Sequence, residues 1–272
     1  MQRITSLFIA LLVLSCIFWL LELLFAANPA QPRLRNRLGL GTDLIYWFMT
    51  PLFARAIARF GVGVILVLVY RQTPTELQAM LASRDTLLAR QGLPLQALEM
   101  VVLGDFIGYW LHRSFHGRGL WPFHAVHHSS VHLDWLSSVR LHPVNDWLTR
   151  WVQASVLVVL GFSPLAVAAY VPFLSFYALL LHANVSWDFG PLRTVLASPR
   201  FHRWHHTSEA EGLNRNFAGF LPVFDILFGT WYLPRDVLPQ HFGLDNETMP
   251  EGFFAQMLYP FRRVSASSQH KV

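Results

Sequence analysis

From Trp151 to Leu181 the chain runs for 31 residues without a charge or a histidine. One bilayer crossing takes about 20 residues and a crossing with its return about 40, so this stretch fits neither count. Gly161-Phe162-Ser163-Pro164 places turn residues near its middle. Together these facts predict a helical hairpin that dips into the membrane and returns, bringing His182 to the side it left.

Two further apolar tracts precede it. Ile4 to Leu21 is apolar apart from Thr5, Ser6, Ser15 and Cys16, and the apolar character resumes after Glu22. The tract is long for a signal-peptide core and has no small-x-small cleavage site before Asn28, so it reads as a membrane-spanning anchor. Arg33, Arg35 and Arg37 follow at once, which predicts a cytoplasmic end there and an external N-terminus. Leu44 to Tyr70 is interrupted by Pro51, Arg55 and Arg59. Arginine in mid-span is costly, so this tract is expected to be kinked, tilted or packed against protein.

Composition agrees with a membrane protein: 53% hydrophobic and 14% charged residues, with a mean hydropathy of +0.36. The net charge of +5 comes from arginines beside apolar spans, Lys271 being the only lysine. Membrane flanks account for them better than a nucleic-acid surface does. The ten tryptophans likewise read as interface anchors and packing. Cys16 is the single cysteine, which excludes an intrachain disulfide, a cysteine-ligated zinc and an iron–sulfur centre.

Thr73-Pro74-Thr75-Glu76 is a capping box with proline at the first helical position. The helix it opens is expected to turn Leu77, Met80, Leu81, Leu87 and Leu88 to one side and Arg84, Asp85 and Arg90 to the other. Pro94 to His116 reads as the central helix, with Gly104, Gly108, His112 and His116 recurring every four residues as a packing stripe. Asp105 and Tyr109 lie one step round from it. A carboxylate in an apolar helix needs a partner, either the N–H of a metal-bound histidine or a neighbouring helix. Gly39-Leu40-Gly41 is too short to signal phosphate binding. From Trp187 the chain is polar enough for a cap, and Arg262 to Val272 reads as a loose tail. The domain reading is an anchor and linker over 1–42, one domain over 43–240 and a polar tail over 241–272.

The chemistry lies in the histidines. His112, His116, His124, His127 and His128 fall within seventeen residues, and Phe201 to Thr207, FHRWHHT, adds His202, His205 and His206. Positions i, i+3 and i+4 share a helix face, so HxxxH and HxxHH can each aim imidazoles at one point. Imidazole ligates iron, zinc, copper and nickel, so three such clusters point to a metal centre. His132 and His142 lie nearby with structural roles equally open to them, while His241 and His270 read as surface residues. A histidine-rich metal transporter is the competing reading. Transporters line a mid-membrane path with ligands, whereas these histidines fall at helix ends and in polar segments.

The run DFIGYWLHRSFHGRGLWPFHAVHHSS resembles the fatty acid hydroxylase/sterol desaturase superfamily of integral-membrane di-iron oxygenases. So do SVRLHPV (138–144), LHANV (181–185), PRFHRWHH (199–206) and NFAGFLPVFDILFGTWY (216–232). The resemblance covers about residues 40 to 240. It implies an all-α integral-membrane helical bundle with a cytoplasmic histidine-rich helical cap. It also implies two non-haem irons on His112, His116, His124, His127, His128, His182, His202, His205 and His206, with O2 as co-substrate and a lipid as substrate. Asp105, Tyr109 and Asn216 would serve the reaction around them. No haem or dinucleotide motif is visible, so electrons would come from a separate electron-transfer protein. Four positions depart from the family pattern: Asn145 stands where an acid is usual, Ala218 where glycine is, and Phe224 and Ile226 where tryptophan and arginine are.

Overall fold

The computed structural model describes residues 2–82 and 86–268. Arg84, Asp85, His270 and Lys271 lie outside them, as do the side chains of Arg55 and Arg59. Every regular element longer than an isolated bridge among the described residues is helical. The helices are α1 (Gln2–Phe25), α2 (Leu40–Tyr70), α3 (Pro74–Ala82), α4 (Leu93–Phe115), α5 (Trp121–His128), α6 (Pro143–Leu160), α7 (Pro164–His182), α8 (Pro199–His205), α9 (Val223–Leu227) and α10 (Phe253–Ser268).

Two of these, α1 and the Leu165–His182 part of α7, are long and apolar enough to cross a membrane. Helix α1 leaves Phe8, Leu12, Leu20 and Leu24 exposed on different sides and buries only Phe18. A helix apolar all round needs lipid or protein around it. Trp47 Nε1 donates to Leu7 O at 3.1 Å and Phe18 stacks on Trp135 at 5.3 Å, so one flank of α1 is fixed to the body.

The hairpin forms where the sequence placed it. Gly161 ends α6 in the left-handed region at φ 106°, and Ser163 caps α7 through Ala166 N. Helix α2 lies most extensively along α6 and runs through Pro51 without ending. Its Gly61 leaves room for Trp151, where a Cβ would come within 2.1 Å of the indole. On α4, Gly104 and Gly108 admit Tyr170 of α7 and Gln153 of α6, and Gln153 Nε2 donates to Gly104 O at 2.8 Å. The predicted packing stripe therefore seats the histidine-bearing end of α4 against the hairpin.

Three expectations need correcting. Helix α3, described over Pro74–Ala82, has its capping box, with Glu76 accepting from Thr73 N at 2.8 Å, but Leu87 and Leu88 are not part of it. Leu87 and Leu88 lie in a following turn, Thr86 accepting from Ala89 N, with Leu87 82% exposed. Arg262 does not begin a loose tail, because α10 continues through it. Gln256 of α10 accepts from Tyr46 at 3.1 Å and His142 faces Met257 O at 3.2 Å. Finally, Arg37, expected with Arg33 and Arg35 at a membrane flank, is buried within the protein. It pairs with Asp43 and Asp134, and Asp43 also pairs with Arg140 at 2.6 Å. Gly39, in the left-handed region at φ 80°, caps α2 and lies against Arg140, whose Nη2 would be 2.7 Å from a Cβ there.

Candidate metal centre

Four elements deliver the histidines to one place: the C-terminal end of α4, all of α5, the end of α7 and all of α8. Short helices opened by proline suit this task. Pro122 and Pro199 sit in the first turns of α5 and α8, and Ser198 caps α8 through Phe201 N at 3.1 Å. Each helix then ends in its histidines within two turns.

The nine rings divide into two groups. His112, His116, His124, His128 and His205 bring ligand atoms within 4.8 Å of one another, and His127, His182, His202 and His206 do the same. The split follows from about 100° of rotation per residue. On α5, His124 and His128 (i, i+4) face the first group and His127 turns to the second. On α8 the roles reverse: His202 and His206 face the second group and His205 the first. The groups adjoin, with the His128 and His206 rings stacked at 4.3 Å.

Tautomers follow from the outer ring nitrogens. His112 Nδ1 lies 2.8 Å from Phe217 O, His205 Nδ1 2.8 Å from Arg215 O, His127 Nδ1 3.1 Å from Arg140 O and His182 Nδ1 2.7 Å from Ala178 O. A carbonyl oxygen only accepts, so each of these Nδ1 atoms carries the proton and each Nε2 presents a lone pair. His124 Nδ1 meets Asn145 Oδ1 at 2.6 Å and is fixed in the same sense.

The Nε2 atoms nevertheless face one another. His182 stands 3.2 Å from His127, His112 3.1 Å from His124, and His205 3.1 Å from His128. For the His127–His182 pair both protons sit on Nδ1, so two lone pairs meet with no hydrogen between them. That contact repels unless a cation lies among the rings. Two imidazoles at about 2.1 Å from one metal stand about 3.0–3.4 Å apart, which matches the spacing. His116 Nε2 is also buried without a hydrogen-bond partner.

The rings of α5 and α8 are neutral at physiological pH. Burial pushes His124, His127, His128, His202, His205 and His206 well below the ordinary 6.5, and repulsion from neighbouring imidazoles adds to it. Nine neutral nitrogen donors without a thiolate form a set suited to iron, copper or zinc.

Asp105, Tyr109 and Asn216 are brought to this region but not to the ring nitrogens. Asp105 accepts from Gly219 N and Phe220 N at 2.9 Å and from Leu221 N at 2.6 Å. Asp105 therefore meets neither expected partner, a histidine N–H or a neighbouring helix, but the backbone of a loop. Tyr109 bonds Thr230 Oγ1 at 2.9 Å and receives Arg113 at 3.0 Å. Asn216, at φ 59°, donates to Phe201 O and Tyr232 O and accepts from Tyr232 N. All three shape the 216–232 segment whose Phe217 carbonyl orients His112. Asn145 fills the place of the usual acid as the partner of His124.

Sequence reasoning missed Arg140 and Asp43. Arg140 supplies the carbonyl that orients His127, and its side chain is held by Asp43. Their separation of 97 residues hides the pairing. His142 caps α6 through Val144 N, and His241 is a surface ring, 81% exposed beside Glu209.

Residues 97–230 match the fatty acid hydroxylase family. An ornithine lipid hydroxylase of Rhizobium tropici is 33% identical over 170 residues, 62% of this chain and 51% of that protein. The alkylglycerol monooxygenase of Danio rerio is 34% identical over 134 residues, covering 48% of this chain and 30% of that protein. A very-long-chain aldehyde decarbonylase of Oryza sativa is 29% identical over 139 residues, 46% of this chain and 21% of that protein. The chain thus spans about half or less of the length of these relatives. No solved structure gives a significant match. The matched region contains all of the histidines in both groups, so residues 97–230 carry a match to the fatty acid hydroxylase family that includes the whole candidate centre.

Proposed function

We propose that this chain is a membrane-bound, O2-dependent, non-haem di-iron oxygenase that hydroxylates, or desaturates, a lipid with a fatty acyl, alkyl or sterol-like chain. The observation that carries the reading is the pair of inward-facing imidazole groups, in which the lone pairs of His112 and His124 oppose one another at 3.1 Å and those of His127 and His182 at 3.2 Å. Five donors in one group and four in the other suit one iron each. Iron would supply the O2 activation that no side chain can.

The chain's own residues do the rest. Phe217, Arg215, Arg140 and Ala178 carbonyls fix the ring protons outward and the lone pairs inward. Burial of seven of the nine rings keeps water from the centre. Helices α1 and α7 hold the body at a bilayer, from which the lipid tail reaches the histidines without entering water. The arginines after α1 support a cytoplasmic histidine face, reached by a separate electron-transfer protein. The transporter reading asks for ligands strung along a path; here they are gathered into two clusters, and the relatives named are enzymes.

The test is lipid analysis of cells with and without the gene under 18-labelled O2, with metal analysis of the purified chain. A labelled hydroxyl or a new double bond, together with two irons per chain, supports the reading. Altered lipids with neither, or a single ion shared by both HxxHH boxes, would overturn it.

A further inference from the structure

Helix α10 lies outside the residues that match the family, and its outer face is apolar. Phe254, Leu258 and Phe261 recur at i, i+4 and i+7, which puts them on one side of the helix. They are 78%, 49% and 55% exposed. The opposite side is the buried one. Gln256 and Pro260 are enclosed there, Gln256 accepts from Tyr46 of α2, and the Phe253 ring meets the Tyr46 ring edge-on at 4.8 Å. A surface helix in water turns its apolar stripe to the core; α10 turns a glutamine inward and the stripe outward.

Helix α2 indicates what lies against that stripe, because one of its turns holds both α1 and α10. Tyr46 takes α10, while Trp47 donates to Leu7 O of α1 at 3.1 Å and Phe48 meets Phe8 of α1 at 4.7 Å. Tyr46 and Phe48 are about 3 Å apart along the helix axis, so α1 and α10 flank α2 at one height. Beside that contact α1 exposes Phe8, Ile9 and Leu12, a flank that needs lipid around it. The same lipid borders α10 on the neighbouring face of α2. Arg262 is exposed one residue beyond Phe261, in a helix that carries no acidic residue. A cation at the edge of an apolar stripe suits the phosphate level of a bilayer.

We infer that α10 lies in the bilayer surface as an amphipathic helix, with Phe254, Leu258 and Phe261 in the acyl region and Arg262 among the headgroup phosphates. Its seat bears on the histidine centre. Tyr259 donates to Glu247, Glu247 accepts from Trp121 Nε1 at 2.5 Å, and the Phe261 ring lies 5.8 Å from that of Phe123. Trp121 and Phe123 form the first turn of α5, and the Trp121 ring is 5.2 Å from that of His116. Lipid under α10 thus steadies the helix that carries His124, His127 and His128. The inference rests on the membrane-bound reading of α1 and not on the oxygenase chemistry.

The test uses the full chain with Cys16→Ser, carrying Phe254→Cys or Leu258→Cys labelled with an environment-sensitive fluorophore and reconstituted in phosphatidylcholine–phosphatidylglycerol vesicles. Leu12→Cys on α1 is labelled in the same background. At both α10 positions brominated lipid should remove most of the fluorescence and aqueous iodide little of it. Quenching by iodide but not by brominated lipid would overturn the inference. So would shielding from both quenchers, which would mean that a second copy or another protein covers the stripe. The label at Leu12 separates the two readings. Lipid quenching there with iodide quenching on α10 sinks the α10 inference alone, and iodide quenching at both sinks the membrane-bound reading of α1 with it. The readout needs no iron, O2 or electron donor.

Discussion

Asp105 on α4 and Asp225 on α9 hold five consecutive backbone N–H groups between them. Asp225 accepts from Phe217 N at 2.7 Å and Ala218 N at 2.8 Å, and Asp105 accepts from the next three, Gly219 to Leu221. The carbonyl of Phe217 is thereby fixed beneath His112 Nδ1. Two carboxylates far apart in sequence act on one ring through a loop neither belongs to.

Asp105→Asn should therefore weaken the centre without abolishing it. The amide keeps one oxygen for the loop but turns an NH2 toward the remaining N–H, leaving a donor unsatisfied at a cost of about 1–3 kcal/mol. Partners that orient a ligand typically matter by about 10–100-fold in metal affinity or activity. Iron per chain and turnover, measured on the same preparation, should both fall into that range. Full activity with full metal would remove Asp105 from the orienting set.

The Arg37, Asp43, Asp134 and Arg140 cluster is wholly buried, so removing one member strands its partner. Asp43→Ala leaves the Arg140 guanidinium facing no carboxylate and Arg37 with Asp134 alone, a change that costs about 3–5 kcal/mol in comparable buried pairs. The thermal midpoint of the purified chain should drop by roughly 10 °C. Metal binding should weaken as well, because the Arg140 carbonyl orients His127. A midpoint within a degree of wild type would show that the cluster adds little.

Acid should destabilise the metal-free chain in a defined window. Burial holds the α5 and α8 histidines well below 6.5 in the folded state, while in the unfolded chain they take up protons near 6.5. The unfolded state then binds more protons below that pH, so stability falls as the pH drops, by up to about 1.4 kcal/mol per unit for each ring. Above about 6.5 these groups contribute no slope. Thermal midpoints of metal-free protein from pH 8 to 5 should be flat and then fall. A flat profile throughout would mean that the rings are protonated alike in both states.

The histidine set, the hairpin turn at Gly161 and the central helix were legible because each has a local signature: spacing, a turn residue, a stripe. The second ends of the contacts were not. Nothing in the sequence around Asp105 says that its partners lie more than a hundred residues away in a loop, and Arg37 looks like any arginine after an apolar run until Asp134 and Asp43 fold around it. The division of each HxxHH box between two groups follows from helix rotation, but which ring goes to which group required the placement of α5 against α8. Leu87 and Leu88 continued the apolar pattern of α3 on paper; the chain turned instead at Thr86, whose hydroxyl bonds Gly161 at the hairpin turn.

The two groups differ in spare capacity, and that difference is testable ring by ring. The second has four donors, so His182→Ala or His206→Ala leaves three, and both iron and activity should be lost. The first has five, and His116 is its least committed member: its Nε2 has no hydrogen-bond partner and its Nδ1 meets only Asn214 at 3.2 Å. His116→Ala should therefore keep more iron than His205→Ala, whose Nδ1 is held by Arg215 O and whose Nε2 faces His128 inside the group. His241→Ala, at an exposed ring outside both groups, should change neither. Iron content, lipid oxidation and membrane insertion measured across the five variants give the order His241, then His116, then the other three. If His241→Ala were as damaging as His205→Ala, the grouping would be wrong, and if His182→Ala and His206→Ala kept full iron, the second group would not be a metal site.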